Sequence, residues 1–283
     1  MALSLFDSSI NDHIRLADYD IVLINSSAGK DSQAMLDVIY HRAVEENYDL
    51  NKITVVHADL GRVEWQGTRE LAEEQANHYG LRFIAVDGRT KRGDLLQHIE
   101  SKGMFPDSAR RWCTSDFKTT PISTVITKLV KPFLDAGIYG RKVWKETGRK
   151  CKVLNCLGIR AEESKDRAKK TPYRYNTARS GKTIRSVYDW YPIFDMKETE
   201  VWDRIRKSGV PYHKAYDLGM PRLSCVFCVF APKHQLEIAG KHNPELLSEY
   251  VRVEDKIGHS FRKDFKIAEV QQSLNNQVKK GQN

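Results

Sequence analysis

The chain has 283 residues, which is enough for one large domain or for a domain with an extension, and it can bury a core without disulfide bonds. Its 46 Lys and Arg residues outnumber its 37 Asp and Glu residues, so the formal charge is +9 and anionic partners are favoured. Charge alone does not distinguish a nucleotide from a nucleic-acid polymer, nor either of these from a solvated basic surface.

The first twelve residues lack the basic and apolar regions of a secretory signal. No stretch approaches the roughly 18 consecutive apolar residues that span a membrane. We therefore expect a cytoplasmic protein without membrane contact. Its five cysteines are then expected to be reduced, so they are thiols or metal ligands rather than disulfides.

Short apolar runs alternate with helical patterns along the chain. The runs predict strands at 19–25, 52–57, 82–86, 153–159 and 190–194. The helical patterns predict helices at 33–46, 65–79, 92–102, 121–136 and 198–208. This alternation predicts an α/β fold with a doubly wound, mostly parallel sheet and helices on both of its faces.

Residues 160–185 are basic and contain few aliphatic side chains. We predict a mobile loop there, either a surface insertion or a substrate-binding lid, because long loops in compact domains tend to be one or the other. A cysteine-bearing loop and a polar helical tail follow. The predicted organisation is an N-terminal segment at 1–18, a main domain at 19–230 and a helical tail at 231–283.

A loop at 27–32 joins the first predicted strand to the first predicted helix. At such a junction several backbone N–H groups converge where the helix dipole adds partial positive charge, so anions bind there. Lys30 adds a full charge and Gly29 permits a positive φ. Asp31 suits a helix N-terminus or a magnesium ion that bridges phosphates. A capped helix after an ordinary turn uses the same residue types, so spacing alone leaves both interpretations open.

The loop resembles the Ser-Gly-Gly-Lys-Asp-Ser pyrophosphate loop of the adenine nucleotide α-hydrolase superfamily, with Ala28 in place of the first Gly. Four further motifs, at 55–61, 111–121, 157–164 and 191–228, are similar to those of the phosphoadenylylsulfate reductase-like family and follow in the same order. The resemblance implies a HUP-type fold with a C-terminal, cysteine-bearing helical extension. It also implies a site for an adenine nucleotide made of Ser27, Ala28, Gly29, Lys30, Asp31, Ser32, Asp59, Gly61, Lys118, Gly158 and Arg160.

Cys225 and Cys228 form a Cys-x-x-Cys pair, a spacing at which two thiolates can face one metal centre, although two small buried residues fit it too. Iron-sulfur members of the family combine this pair with a Cys-Cys, but here Cys113 is followed by Thr114. The resemblance therefore implies a [4Fe-4S] cluster on three thiolates, with one iron open to another ligand, and leaves Zn²⁺ as the alternative. The fourth ligand is left open among Cys151, Cys156 and, for zinc, His213.

The thiol-dependent reductases of the family carry a nucleophilic Cys in a C-terminal motif, whereas residues 231–283 contain no cysteine. The resemblance therefore favours the other activity of the superfamily, in which ATP with Mg²⁺ is cleaved between its α and β phosphates and an acceptor is adenylated. Lys30, Asp31 and Arg160 are the predicted catalytic residues.

Sulfur transfer often follows such adenylation in the superfamily. The basic residues 160–185 suit a nucleic-acid acceptor, as in DNA phosphorothioation or RNA thiolation. A cysteine desulfurase is then the expected sulfur donor. The alternatives are a phosphoadenylylsulfate or adenylylsulfate reductase, and a nucleotide-binding module without turnover. The sequence does not predict the oligomeric state.

Overall fold

A computed structural model describes residues 10–87 and 93–280. Its six-stranded sheet consists of β1 Ile21–Ser26, β2 Ile53–Asp59, β3 Arg82–Asp87, β4 Cys151–Leu157, β5 Tyr173–Tyr175 and β6 Arg185–Trp190. The strand order is β3-β2-β1-β4-β6-β5. Strand β1 pairs in parallel with β2 and β4, β4 pairs in parallel with β6, and β5 is antiparallel to β6. The predicted doubly wound, mostly parallel sheet is confirmed.

The helices of the described residues lie between and after these strands. They are α1 Lys30–Glu45, α2 Thr68–His78, α3 Leu95–Lys102, α4 Trp112–Thr114, α5 Thr120–Asp135, α6 Arg141–Thr147, α7 Lys165–Ala168, α8 Glu198–Ser208, α9 Lys233–His242, α10 Pro244–Ile257 and α11 Ala268–Lys280. Four predicted helices correspond to α1, α2, α5 and α8, and the tail is helical as predicted. None of the described helices has the length and apolarity needed to cross a membrane.

Parts of several predictions lie outside the described residues. These are residues 1–9 of the predicted N-terminal segment, residues 88–92 of the predicted main domain and residues 281–283 of the predicted tail. The helix predicted at 92–102 begins in the second of these gaps, and α3 lies in its described part. Helix α6 was not predicted, because its seven residues are too few to show a helical period.

The prediction of one mobile loop at 160–185 is wrong. Helix α7 lies there, and β5 pairs with β6 through Tyr173 and Trp190 and through Tyr175 and Tyr188. An edge strand exposes side chains to water, so it can form from polar residues that do not look like a strand. The strand predicted at 190–194 is also displaced, because β6 ends at Trp190 and the chain then turns.

The chain divides into two compact units. Unit 1 comprises residues 1–57, 69–85 and 123–212, and unit 2 comprises residues 58–68, 86–122 and 213–283. The core of unit 1 forms where the apolar side chains of β1 and β2 meet the apolar stripe of α1, which includes Met35, Leu36 and Ile39. Unit 2 has its own core, rich in aromatic side chains, which includes Trp65, Phe105, Phe117, Tyr250 and Phe261.

Candidate functional site

The loop at 27–32 leaves the carboxyl end of β1 and opens helix α1 in unit 1. Ala28 has a φ of 55°, whereas Gly29 is extended with φ of −80° and ψ of 159°. Gly29 permits a positive φ but does not adopt one, because the left-handed residue of the loop is its neighbour Ala28. Ala28 is fully buried, so its methyl group packs inside the loop in spite of this backbone conformation.

Hydroxyl groups brace the loop from within. Ser32 donates from Oγ to the Gly29 carbonyl at 2.9 Å and accepts from the Ser27 backbone N–H at 3.2 Å. The Ser27 and Ser32 hydroxyl oxygens are 3.3 Å apart, and Ser26 Oγ accepts from the Ala28 backbone N–H at 3.1 Å. Gly29 is the N-cap of α1 and provides no side-chain cap. The start of α1 therefore presents backbone N–H groups and the positive end of the helix dipole.

Lys30 is the first residue of α1 and is only 3% exposed. Its ammonium nitrogen lies 3.4 Å from a carboxylate oxygen of Glu198, at the start of α8. Glu198 is half-exposed, so the pair opens on one side to water. The loop cation thus has a carboxylate partner in this structure, and a phosphate that binds Lys30 has to compete with that partner.

Arg160 joins the loop to two further carboxylates. Although it follows β4 in a basic stretch, it is 2% exposed. Its Nε donates to Asp31 at 2.6 Å and its Nη1 donates to Glu162 at 2.7 Å, while Nη2 lies 3.9 Å from Glu198. Burial alone would lower the pKa of the Arg160 guanidinium, but its hydrogen bonds to Asp31 and Glu162 and the charges of Asp31 and Glu163 raise it. Arg160 is therefore a buried, charged residue that links α1 to α8 through ion pairs.

Charges in this cluster do not balance. Lys30 and Arg160 carry two positive charges, whereas Asp31, Glu162 and Glu198 carry three negative ones. An incoming polyphosphate would add further negative charge. A further anion at this cluster would therefore need a compensating positive charge, which a divalent cation can supply.

Gly158 lies against the start of α1. A Cβ atom at this position would be 2.9 Å from the Asp31 carbonyl oxygen and 3.0 Å from the Ser32 backbone nitrogen. Both neighbours are backbone atoms and cannot rotate away. Gly158 has no side chain, and this allows the loop at 27–32 to pack closely against the end of β4.

The other predicted nucleotide-binding residues belong to unit 2. Asp59 accepts a hydrogen bond from the Gly61 backbone N–H at 2.8 Å, and Gly61 has a φ of 65° that glycine adopts without strain. In this unit Asp59 shapes the turn after β2. The third residue, Lys118, lies in a different environment, among the cysteines.

Cys113, Cys225 and Cys228 lie around Lys118 in unit 2. Burial works against the charge of Lys118, but the nearby cysteines and Glu64 raise its pKa. The Cys225 thiol is itself affected by Cys228 and Cys113, and burial raises its pKa to about 12. The three predicted thiol ligands therefore lie close enough to Lys118 for their charges to interact with it.

Backbone pairing fixes the Cys-x-x-Cys loop. Glu64 forms an antiparallel bridge with Cys225, and the Val226 N–H donates to the Val63 carbonyl at 2.9 Å. The Cys228 carbonyl accepts from the Ala231 N–H at 2.9 Å. These bonds place the loop on the core of unit 2.

The donor chemistry of the cysteine cluster suits a soft metal centre, but the thiol positions are not those of a formed site. Within 10–87 and 93–280, no group of three or more His, Cys, Asp or Glu side chains is arranged to hold a metal ion. Metal binding on these thiols would require a different arrangement of their side chains.

The residues considered for a fourth ligand have other roles in this structure. Cys151 and Cys156 are fully buried core side chains of β4 in unit 1, and burial raises the pKa of both thiols. The His213 ring uses Nδ1 to accept from the Ala215 N–H at 3.1 Å and has Nε2 3.3 Å from Thr68 Oγ1.

Residues 21–231 match the phosphoadenosine phosphosulfate reductase domain family. The chain belongs to this family. Among its relatives, an uncharacterized protein of Methanocaldococcus jannaschii is 25% identical over 232 residues, which cover 82% of this chain and 41% of the relative. The adenosine 5′-phosphosulfate reductase of Allochromatium vinosum is 24% identical over 219 residues, which cover 76% of this chain and 70% of that enzyme.

Among solved structures, phosphoadenylyl-sulfate reductase from Candida auris aligns with a TM-score of 0.46 and 16% identity, covering 78% of this chain and 90% of that one. This reductase-family chain spans less than half the length of two Methanocaldococcus jannaschii relatives, 41% of one and 47% of the other.

Sequence reasoning missed Glu198. It lies 38 residues after Arg160 in the sequence, and its contact with Lys30 has no local pattern. The available signal was an acidic residue that opens a predicted helix, which is an ordinary feature of helix N-termini.

Proposed function

We propose that this chain binds ATP with Mg²⁺ on the loop at 27–32 and transfers the adenylyl group to an acceptor, releasing pyrophosphate. The observation that carries the proposal is the buried Lys30 at the uncapped start of α1, directly after a parallel strand. Backbone N–H groups, the helix dipole and the ammonium group together favour a polyphosphate at this point.

In the proposed reaction an acceptor oxygen attacks the α-phosphorus. The bond from that phosphorus to the oxygen that bridges the α and β phosphates breaks, and pyrophosphate leaves with the electron pair. Lys30 and the N–H groups at the start of α1 stabilise the charge that develops on the leaving group. This requires Lys30 to exchange Glu198 for phosphate oxygens.

Arg160 and Asp31 were predicted to be catalytic, and their contacts favour a positioning role. Arg160 is buried and its donors face carboxylates, while Asp31 accepts the 2.6 Å hydrogen bond. We propose that this pair holds the first turn of α1 in place. Mg²⁺ would offset the excess negative charge that the cluster and a triphosphate share.

The acceptor is proposed to be a nucleic acid, with sulfur replacing the adenylated oxygen in a second step. In that step the terminal sulfur of a persulfide from a cysteine desulfurase attacks the activated atom, and AMP leaves with the oxygen. A second thiol then attacks the S–S bond, forms a disulfide with the donor cysteine and leaves the sulfur on the acceptor. The net basic charge of the chain and the basic residues 160–185 support an anionic polymer as the acceptor.

The cysteine cluster is proposed to hold a [4Fe-4S] cluster on Cys113, Cys225 and Cys228, with Zn²⁺ as the alternative. The electrostatic proximity of these thiols to Lys118 supports the assignment, because the cation opposes part of the effect of burial, which disfavours thiolates. Iron, sulfide and zinc analysis after anaerobic purification tests it, with Cys113→Ala as the variant. Protein that binds neither metal would contradict the proposal.

Two other functions remain candidates. An adenylylsulfate or phosphoadenylylsulfate reductase fits the family, but residues 231–283 contain no cysteine that could act as the nucleophile. A binding module without turnover would keep the loop geometry and release no product.

Steady-state release of pyrophosphate from ATP and Mg²⁺ separates these functions. It is measured without an acceptor, and then with single-stranded DNA, duplex DNA and RNA. We expect release that one class of nucleic acid stimulates. Tight ATP binding without release under every condition would favour the binding module, and sulfite formation from a sulfonucleotide and thiol would favour the reductase.

A further inference from the structure

Three arginine side chains lie together along the β5–β6 edge of unit 1, and the proposed ATP chemistry does not use them. Arg174, Arg179 and Arg185 are called the arginine cluster here. Arg185 donates from Nε to the Arg179 carbonyl at 2.8 Å and from Nη1 to Thr127 Oγ1 at 2.7 Å. Arg174 and Arg185 are both close enough to Arg179 for their charges to lower its pKa. The hairpin therefore gathers three positive charges.

Among the residues that the structure describes, one carboxylate, that of Asp189, faces the arginine cluster. It is 2% exposed and accepts hydrogen bonds from Arg174 Nη2 at 3.1 Å, Asn155 Nδ2 at 2.7 Å and Asn176 Nδ2 at 2.9 Å. Three donors already occupy its two oxygens. Three guanidinium groups against one carboxylate leave two positive charges in excess.

Arg179 differs from its neighbours. Its backbone N–H donates to Asn176 Oδ1 at 3.0 Å and its carbonyl accepts from Arg185, but its guanidinium makes no hydrogen bond or ion pair within the described residues. The residue is half-buried. Burial, Arg185 and Arg174 hold the pKa of Arg179 below its ordinary value despite the opposing charge of Asp189. A guanidinium in such surroundings is stabilised when an anion reaches it.

We propose that the arginine cluster binds a phosphate group, with Arg179 donating to its oxygens. The planar fork of a guanidinium matches two phosphate oxygens at once, which gives direction as well as charge. The phosphodiester backbone of a nucleic acid and a free phosphate share this chemistry. The site itself does not depend on the proposed ATP chemistry, whereas the assignment of a backbone phosphodiester to an acceptor rests on the proposed function.

Fluorescence anisotropy tests the site with labelled single-stranded DNA and RNA oligonucleotides at several salt concentrations. The variant is Arg179→Gln. Lys182→Gln is the matched control, because Lys182 is exposed in the same hairpin and its substitution removes the same single positive charge. We expect Arg179→Gln to weaken binding about tenfold. It should also reduce the slope of log K against log salt by about 0.7 to 0.9, as for one lost phosphate contact. Lys182→Gln should cause a smaller loss of affinity and a smaller change in the salt dependence.

Isothermal titration with inorganic phosphate separates the two sources. Loss of phosphate binding in Arg179→Gln with unchanged oligonucleotide binding would support a site for a free phosphate compound. Loss of oligonucleotide affinity would support a backbone phosphodiester. Equal behaviour of Arg179→Gln and Lys182→Gln with every probe would overturn the proposal.

Arg174→Gln is the second variant in case Arg179→Gln does not fold, because the Arg174 side chain is 56% exposed. Loss of phosphate or oligonucleotide binding in Arg174→Gln would support the site, and unchanged binding would count against it. Pyrophosphate release by the unsubstituted protein is measured separately, so failure of the ATP proposal is distinguishable from failure of this site.

Discussion

The Lys30 ammonium nitrogen lies 3.4 Å from a Glu198 carboxylate oxygen, which couples the first residue of α1 to the first residue of α8. A nucleotide phosphate and Glu198 therefore compete for the same cation. Because Glu198 is half-exposed, water screens the pair and its strength is that of a surface ion pair. Such a pair can open when a more highly charged partner arrives.

Glu198→Gln should tighten the binding of pyrophosphate in the absence of Mg²⁺. Removal of a competing ion pair of about 0.2–1 kcal/mol corresponds to a gain of up to about fivefold in affinity. Isothermal titration measures this effect. Asp203→Asn, an exposed charge change on the same helix, is the control and should leave the affinity unchanged. Weaker pyrophosphate binding in Glu198→Gln would contradict the competition.

Gly158→Ala should disturb the loop through a backbone collision. The new Cβ would lie 2.9 Å from the Asp31 carbonyl oxygen, so the start of α1 has to shift. We expect a loss of about 1–3 kcal/mol in the free energy of unfolding and weaker ATP binding. Denaturant unfolding and titration measure the two effects. Gly181→Ala is the matched control, because its Cβ would meet nothing closer than 3.9 Å. Equal stability of the two variants would argue against close packing at Gly158.

Ala28 should tolerate glycine and reject a branched residue. A φ of 55° costs an L residue about 1–2 kcal/mol, and glycine would remove this strain. Glycine would also lose the buried methyl group and raise the conformational entropy of the unfolded chain, and both effects destabilise the folded state. Ala28→Gly should therefore change the free energy of unfolding by less than about 1 kcal/mol. Ala28→Val should destabilise by about 2 kcal/mol or more. Urea unfolding of both variants measures these changes. If Ala28→Val left the free energy of unfolding unchanged, the loop would not hold this backbone conformation.

Cys151 should make the protein less stable in alkali. Burial, followed by the charge of Asp20, raises the pKa of its thiol from 9.0 to about 12. A raised folded-state pKa gives stability that is present below the unfolded pKa, near 9, and is lost as the pH rises towards 12. Between pH 9 and 11, the free energy of unfolding should fall less steeply with pH in Cys151→Ala than in the unsubstituted protein. The difference in slope should be up to about 1.4 kcal/mol per pH unit. Denaturant unfolding at several pH values provides the slopes. Identical slopes for the variant and the unsubstituted protein would contradict the assignment.

The sheet was predictable because its central strands are apolar on both faces. Ile21 to Ile24 are all buried, so the run is visible without its neighbours. Strand β5 was not predictable in this way, since its Tyr-Arg-Tyr sequence forms a strand only by pairing with β6.

The resemblance selected the loop and three cysteines that interact electrostatically with Lys118, but it did not reveal side-chain partners. That Arg160 is buried against Asp31 depends on how β4 and α1 meet, and no local pattern encodes it. The positive φ fell on Ala28 rather than Gly29 because the geometry of the turn, and not the residue type, selected the position.

The most direct test of the central claim is product analysis with ATP labelled at the α-phosphate. The unsubstituted protein with Mg²⁺ and its acceptor should form AMP or an adenylated acceptor together with pyrophosphate. Lys30→Gln should lower the rate by about 10²- to 10³-fold, as for the loss of one donor to a developing charge. Lys128→Gln, an exposed residue of α5, should keep the rate. Formation of ADP and phosphate, or full pyrophosphate release by Lys30→Gln, would contradict the account.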